Sequence, residues 1–380
     1  MPWEERTVEE QRKEFARTAI HSTNFSALCR EYGITRKTGY KWVERYESGG
    51  ALTDLTRRPH TSPNKTPAGV EKEILSLRRK NPGWGARRIH YVLSSKGIEM
   101  PSVKTVNNIL NRNGCISEEE TLKHKPVTRF EKEKCNDMWQ TDFKGEFRTA
   151  DGKYCYPLTI IDDHSRFSIA IVAKTSTENV VIPAFMDAFA EYGLPRSVLS
   201  DNGAQFAGFK HGYTQFEKLL MRLDILPVHG RIKHPQTQGK IERFHRTMKS
   251  ELLKHRSFAD INEADEQLRN WRFKYNNERP HEALGMRCPA QEYVRSERLL
   301  PSKLPDIEYS GQFHVIKVNS WGFVRFAHHQ IYLSETMINE YVEFRPNPHG
   351  DSLMVCFGRF KIAEFNPASG QRLNRNISRL

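Results

Sequence analysis

Three acidic residues near the middle of this sequence stand in phrases where an ionised carboxylate has no obvious structural duty. Asp142 lies in the strand-like run Trp139-Gln140-Thr141-Asp142-Phe143. Asp201 ends a second such run, just before Asn202-Gly203. Glu242 falls in a helix-like run that begins near Gln238. Acids on separate elements meet only through tertiary folding, and when three meet, mutual repulsion raises their pKa values unless a cation joins them. Hard oxygen donors of this kind suit Mg²⁺ or Mn²⁺. Two such ions can activate an attacking oxygen and steady the leaving oxygen of a phosphodiester. The chemistry indicated is metal-assisted phosphoryl transfer. Taken singly, each acid reads as well as a cap or a surface charge, and Asp201 as a turn former. The three together, in order and with suitable elements around them, carry the argument.

The phrases WQTDF, SDNG, HPQTQGKIERFHRTMK and YNNERPHEAL together resemble the catalytic core of the DDE transposase and retroviral integrase superfamily. The resemblance is strongest to insertion-sequence transposases that share the integrase core, and it spans about Asn136 to Tyr293. It implies that Asp142, Asp201 and Glu242 are catalytic metal ligands and that Mg²⁺ is the cofactor, with Mn²⁺ substituting. It also implies that Gln238, His245, Arg246 and Lys249 contact DNA ends, and Lys240 is grouped with them. One departure is visible: forty residues separate Asp201 from Glu242, more than the family often keeps. The excess is expected in the Gly-rich polar stretch Ala207 to Tyr213.

The elements that must position the acids follow a ribonuclease H-like order. Strands are expected over Met138–Phe147, Tyr154–Asp162 and Phe167–Lys174, then a helix over Thr177–Tyr192 and a strand over Ser197–Ser200. A helix over Phe216–Leu223, a short strand over Leu226–His229 and a long helix over Gln238–His255 complete a mixed sheet with flanking helices. At about 100° per residue, Gln238, Glu242, His245 and Lys249 share a face within roughly 60°. Ile241, Phe244, Met248 and Leu252 form the adjoining apolar stripe. The acid cluster Asp162-Asp163-His164-Ser165-Arg166 reads as a turn between strands, with Asp163 and Arg166 supporting structure. No nucleophile elbow accompanies its serine and histidine, so a hydrolase triad fails.

Upstream, helices over Thr7–Ile20, Asn24–Tyr32 and Thr35–Glu47 suggest a helix-turn-helix, with Arg36, Lys37, Lys41 and Arg45 as cations of its reading helix. Aromatic residues surround that helix, so period alone does not separate its core face from its DNA face. A proline-containing linker follows, whose Arg57 and Arg58 could track a phosphate backbone or enter a minor groove. Helices over Pro67–Lys80, Gly85–Lys96 and Ser102–Arg112 repeat the pattern, with Arg87, Arg88, Lys104 and Asn107 as polar reader candidates. Two such units suit a long asymmetric DNA end. The C-terminal strands, Gln312 to Phe365, alternate between Gly and Asn-Pro turns and suggest a small barrel.

Composition agrees. The chain has 380 residues and a net charge of +13, which suggests several domains and a polyanionic partner. Its six cysteines are scattered without a CxxC pair, so neither a disulfide framework nor a zinc site is signalled. The polar, acidic start is unlike a signal peptide, and no apolar run approaches the eighteen or so residues that span a membrane. A cytoplasmic, bacterial-type location, with the nucleoid when DNA-bound, is expected.

The fold class expected is multidomain α/β. It comprises tandem N-terminal helix-turn-helix domains (1–50 and 67–114), a linker at 51–66 and a connector at 115–134. A ribonuclease H-like mixed-sheet core (135–296) and a small C-terminal β-barrel (305–380) follow. The function expected is a DNA transposase that binds terminal inverted repeats, cleaves a strand and joins it to target DNA as a dimer or higher oligomer. A domesticated regulator would keep the DNA readers but lose an acid. A plain ribonuclease H-like nuclease would cut without joining.

Overall fold

The computed structural model describes residues 7–54, 65–116, 131–208, 212–230, 239–348, 350–374 and 376–380. Arg57, Arg58, Gln238 and most of the expected connector lie outside the described residues. The chain forms two compact units, 1–65 and 66–380.

In the first unit, α1 (Val8–Ile20), α2 (Phe25–Glu31) and α3 (Arg36–Glu47) each start at a side-chain cap. Thr7 and Glu10 form a reciprocal capping box, and Asn24 and Thr35 accept from the backbone of Ala27 and Thr38. Such caps satisfy donors that the first turn leaves open. Gly39 lets α3 approach α2, since a Cβ there would lie 2.8 Å from Cys29 Sγ. Trp42 is buried with Phe15, Leu28 and Cys29, which settles the face that periodicity left open.

The second unit begins with α4 (Ala68–Lys80), α5 (Ala86–Ser95) and α6 (Val103–Arg112), packed around Ile74, Ile89, Leu93, Val106 and Leu110. The core sheet contains β1 (Trp139–Phe143), β2 (Phe147–Arg148), β3 (Tyr154–Asp162), β4 (Ser168–Lys174), β5 (Ser197–Ser200) and β6 (Leu226–His229). The expected first strand is thus interrupted, with β2 a two-residue extension on β3. β3 pairs antiparallel with β4 and β1, whereas β1, β5 and β6 run parallel. Helices α7 (Val181–Tyr192) and α8 (Gln215–Arg222) cover one face through Trp139, Leu158, Ile160, Phe185, Phe189 and Phe216. Helices α9 (Gly239–Met248) and α10 (Ile261–Asn277) cover the other through Ile161, Ile171, Ile241, Phe244 and Leu268.

The expected single helix from Gln238 to His255 is corrected. After α9 the chain makes one π-helical turn over Lys249–Leu253, a form common at functional sites. Within that wider turn Glu251 accepts from Arg279 Nε at 2.9 Å, and both side chains are 8% exposed. The turn at Gly83 (φ +89°) packs against it so closely that a Cβ would lie 3.2 Å from Glu251 Cγ. A short α11 (Pro289–Glu292) ends the core.

The last strands are β7 (His314–Lys317), β8 (Phe323–Phe326), β9 (His329–Tyr332), β10 (Tyr341–Pro346), β11 (Leu353–Phe357), β12 (Phe360–Phe365), β13 (Arg372–Asn374) and β14 (Ser378–Arg379). The expected barrel is not found. The order β13-β12-β11-β10-β7, with β14 on β12, is an open antiparallel sheet beside a separate β8–β9 hairpin, and among the described residues it does not close. Closure is not needed to bury the apolar face, because Tyr213 and Met221 from the core and Val324 and Ile331 from the hairpin cover it. Tyr213 donates its hydroxyl to Ile362 O and accepts from Arg372 Nη2 at 2.7 Å. No helix among the described residues is long and apolar enough to cross a membrane.

Removing one partner of a buried ion pair leaves the other charge unpaired. Arg279→Ala should therefore lower stability by about 3–5 kcal/mol in urea unfolding. A loss within experimental error would show that the Arg279–Glu251 pair does not hold the π-helical turn.

Candidate active site

Strand register brings the first two acids to one edge. β1 and β5 are parallel, with Gln140 beside Leu199. Asp142 and Asp201 each follow two residues later, so both leave the sheet from its carboxyl end. Alternation along a strand puts Gln140 and Asp142 on the same face. That face meets α9, since Gln140 Oε1 accepts from Ile241 N at 3.3 Å. Ile241 is the neighbour of Glu242, so this bond ties the strand of the first acid to the helix turn of the third.

The acids sense one another. Burial raises the Asp142 carboxyl to about 7, and the nearby charges of Asp201 and Glu242 add to the rise. Asp201 holds its own turn, accepting from Gly203 N at 2.9 Å, while Glu242 is exposed in the first turn of α9. Among the described residues no three His, Cys, Asp or Glu side chains form a closed metal-holding group.

Several residues expected to touch DNA are placed otherwise. His245 is buried, its Nε2 2.7 Å from Thr159 Oγ1. Burial, with the Lys144 charge nearby, lowers its pKa to about 3, and its polar contact in this structure is internal. Lys240 donates to the carboxylate and carbonyl of buried Asp163. Asp163 also accepts from Gln140 Nε2 at 2.7 Å. The cluster at residues 162–166 is a structural turn: Asp162 accepts from Asn136 N and from Ser165, and Arg166 donates to Asp163 O. Arg246 and Lys249 are exposed along α9 and the start of the π-helical turn.

Sequence reading missed Lys144. Burial and the charge of Lys249 lower its pKa, which places two cations together beside the acids. Its position two residues after Asp142 was the available signal.

In the first unit Arg36, Lys37 and Lys41 are exposed. Arg45 instead lies over the Trp42 ring and donates to Thr53 O at 3.2 Å. In the second unit Arg88 is drawn onto the core, donating to Pro280 O at 3.0 Å. Burial and the charge of Arg279 bring its pKa down to about 10. Arg87 pairs with Glu282 at 3.2 Å. Lys104 and Asn107 are exposed and line a groove with Arg87 and Val103.

Segments of the chain match known domain families. The integrase core domain matches residues 132–235 and 223–289. A homeodomain-like domain matches 38–110, and a helix-turn-helix domain matches 11–60. An uncharacterized 39.2 kDa protein of insertion element IS476 from Xanthomonas euvesicatoria is 26% identical over 243 residues, covering 60% of this chain and 66% of that protein. The chain thus spans about two thirds of that relative's length. An uncharacterized 31.7 kDa protein of insertion element IS407 from Burkholderia multivorans is 23% identical over 244 residues, covering 58% of this chain and 81% of that one. Among solved structures, a simian T-cell lymphotropic virus intasome shares 18% identity at a TM-score of 0.38, covering 74% of this chain and 91% of that chain. Residues 132–289 thus match integrase core domains, behind segments that match helix-turn-helix and homeodomain-like domains.

The raised carboxyl has a measurable consequence. With Asp142 near 7 when folded and 3.8 as the ordinary value, the folded state binds more protons than the unfolded state between those limits. Stability without divalent cation therefore falls as pH rises through that window. Asp142→Asn should melt above wild type at pH 8 in chelator, with the gap closing as pH falls toward 4. A pH-independent gap would show that Asp142 ionises normally.

Proposed function

We propose that this chain, which resembles insertion-sequence transposases with an integrase-type core, is a DNA transposase and polynucleotidyl transferase. One observation carries the reading. Two carboxylates leave adjacent parallel strand ends, and a third on α9 lies near enough for Asp142 to sense its charge. On this reading residues 1–50 and 67–114 are DNA-binding domains, 135–296 the catalytic core and 305–380 a C-terminal domain.

The donor set fits a hard divalent cation, because three carboxylate groups supply only oxygen and their repulsion is what such a cation relieves. Asp142, Asp201 and Glu242 would hold Mg²⁺ ions, with Mn²⁺ able to substitute, and bound ions neutralise phosphate charge and lower the pKa of an attacking oxygen. The chain's own groups do the rest. Lys144, Arg246 and Lys249 line the rim with positive charge that holds the scissile strand. Arg36, Lys37 and Lys41 on α3, with Lys104 and Asn107 on α6, read the terminal inverted repeats, one helix in each of two groove segments.

Water first attacks the phosphodiester at the transposon end, and the 3′ oxygen leaves as a free hydroxyl. That hydroxyl then attacks a target phosphodiester at the same site, joining to the target 5′ phosphate as the P–O bond to the target's 3′ oxygen breaks and a target 3′-hydroxyl is released. The phosphate is already charged, so positioning and charge neutralisation supply the catalysis. Coordinated cutting of two ends implies a dimer or larger assembly on DNA. A cytoplasmic location in a bacterial cell, with the nucleoid when bound, accompanies this reading.

Labelled transposon-end DNA incubated with the protein and Mg²⁺ tests it. Cleaved and joined products are expected, cleavage alone would indicate a nuclease, and binding alone a regulator. Asp142→Asn should lose at least about 10³-fold in both steps while DNA affinity stays within about twofold. Retained cleavage by that variant would remove Asp142 from the site.

A further inference from the structure

His245 sits three residues beyond Glu242, yet it neither reaches solvent nor joins the carboxylates. It is 9% exposed. Its Nε2 lies 2.7 Å from Thr159 Oγ1. Thr159 is the cross-strand partner of Asp142, and its hydroxyl donates to Asp142 O at 2.9 Å. A hydroxyl has one hydrogen to give. With that hydrogen on the Asp142 carbonyl, Thr159 Oγ1 must accept from His245, which places the imidazole proton on Nε2. Its Nδ1 lies 3.8 Å from Asp142 Oδ2. The neighbouring backbone is held as well, because Thr141 Oγ1 donates to Thr159 O at 3.1 Å.

We propose that His245 and Thr159 form a positioning pair for Asp142. Thr159 fixes the backbone of the acid from β3, and His245 holds the Thr159 hydroxyl in place from α9. The strand that carries Asp142 is thereby tied to the helix that carries Glu242. This role rests on the transposase reading only through the assignment of Asp142. It differs from a DNA contact, because the polar edge of His245 is turned into the protein.

Four variants of the full chain test the pair: His245→Ala, His245→Gln, Thr159→Val and the double His245→Ala/Thr159→Val. Each is measured for Mn²⁺ affinity by calorimetry without DNA, for end binding in Ca²⁺, and for kcat and KM of cleavage. Loss of an outer partner to a metal-holding side chain costs about 10–100-fold in metal affinity or activity. His245→Ala and Thr159→Val should each show a loss of that size in Mn²⁺ affinity and kcat. KM and end binding should stay near wild type. His245→Gln, whose terminal amide N–H reaches the position of Nε2, should recover most of the loss. The double variant should be no worse than the worse single, since partners acting as one unit do not add.

Wild-type Mn²⁺ affinity and kcat in His245→Ala would overturn the proposal. So would a loss confined to end binding, or a double variant whose losses multiply. Should His245→Ala fail to fold, His245→Gln and His245→Asn decide, because the shorter Asn amide does not reach Thr159; equal kcat losses in both overturn the pair. Failure here is separable from failure of the transposase reading. An inactive Asp142→Asn beside a normal His245→Ala sinks only the positioning role, whereas an active Asp142→Asn sinks the reading beneath it.

Discussion

Parallel pairing of β1 with β5 forces two negative charges to the same sheet edge, and much of the core can be understood as a response to that crowding. The backbone register sets where each of these residues leaves the paired strands. α9 brings a third acid to the same region, anchored by the bond from Ile241 N to Gln140 and by Lys240 on buried Asp163. Burial then makes the crowding more costly, as the upward shift of Asp142 records. Lys144 and Lys249 stand close by as partial compensation, and both remain available to a polyanion. A site that stores unfavourable charge in this way is suited to binding cations and phosphates, since each relieves what the fold imposes.

The same principle sorts the cations. Those with a buried acid or carbonyl within reach are taken up by structure: Lys240 by Asp163, Arg279 by Glu251 and Arg88 by the Pro280 carbonyl. Those without one, such as Arg36, Lys37, Lys104 and Arg246, remain on exposed helix faces. The excess of positive charge is therefore not spread evenly in its effect. Part of it holds the second helical unit onto the core, through Arg88 and the Glu251–Arg279 pair beneath the Gly83 turn, and the remainder faces outward.

Much of this was legible in the sequence because it rests on local pattern. Strand-like and helix-like runs located most elements, among them Tyr154–Asp162 and Ser102–Arg112. The phrases around Asp142, Asp201 and Glu242 placed the acids in one strand, at the end of another and on a helix. What was not legible depends on three-dimensional partners. Helical periodicity put His245 on the face of Glu242, but it could not show that Thr159 on β3 would claim the ring. It also assumed one unbroken helix, whereas the inward turn of Glu251 toward Arg279 calls for a wider turn. Alternating C-terminal strands suggested closure, yet the apolar face is covered by Tyr213, far away in sequence. Arg45 was read from its charge alone, and its bond to the Thr53 carbonyl depends on a segment beyond its own helix.

Tyr213 carries one further consequence. The polypeptide between Asp201 and Glu242 is not a free span, since its aromatic anchor is seated among the C-terminal strands and bonded to Ile362 and Arg372. Force applied to the C-terminal sheet, for instance by a partner pulling on it, would be transmitted through that anchor into the segment joining two of the acids. Tyr213 thereby links the segment between Asp201 and Glu242 mechanically to the C-terminal strands.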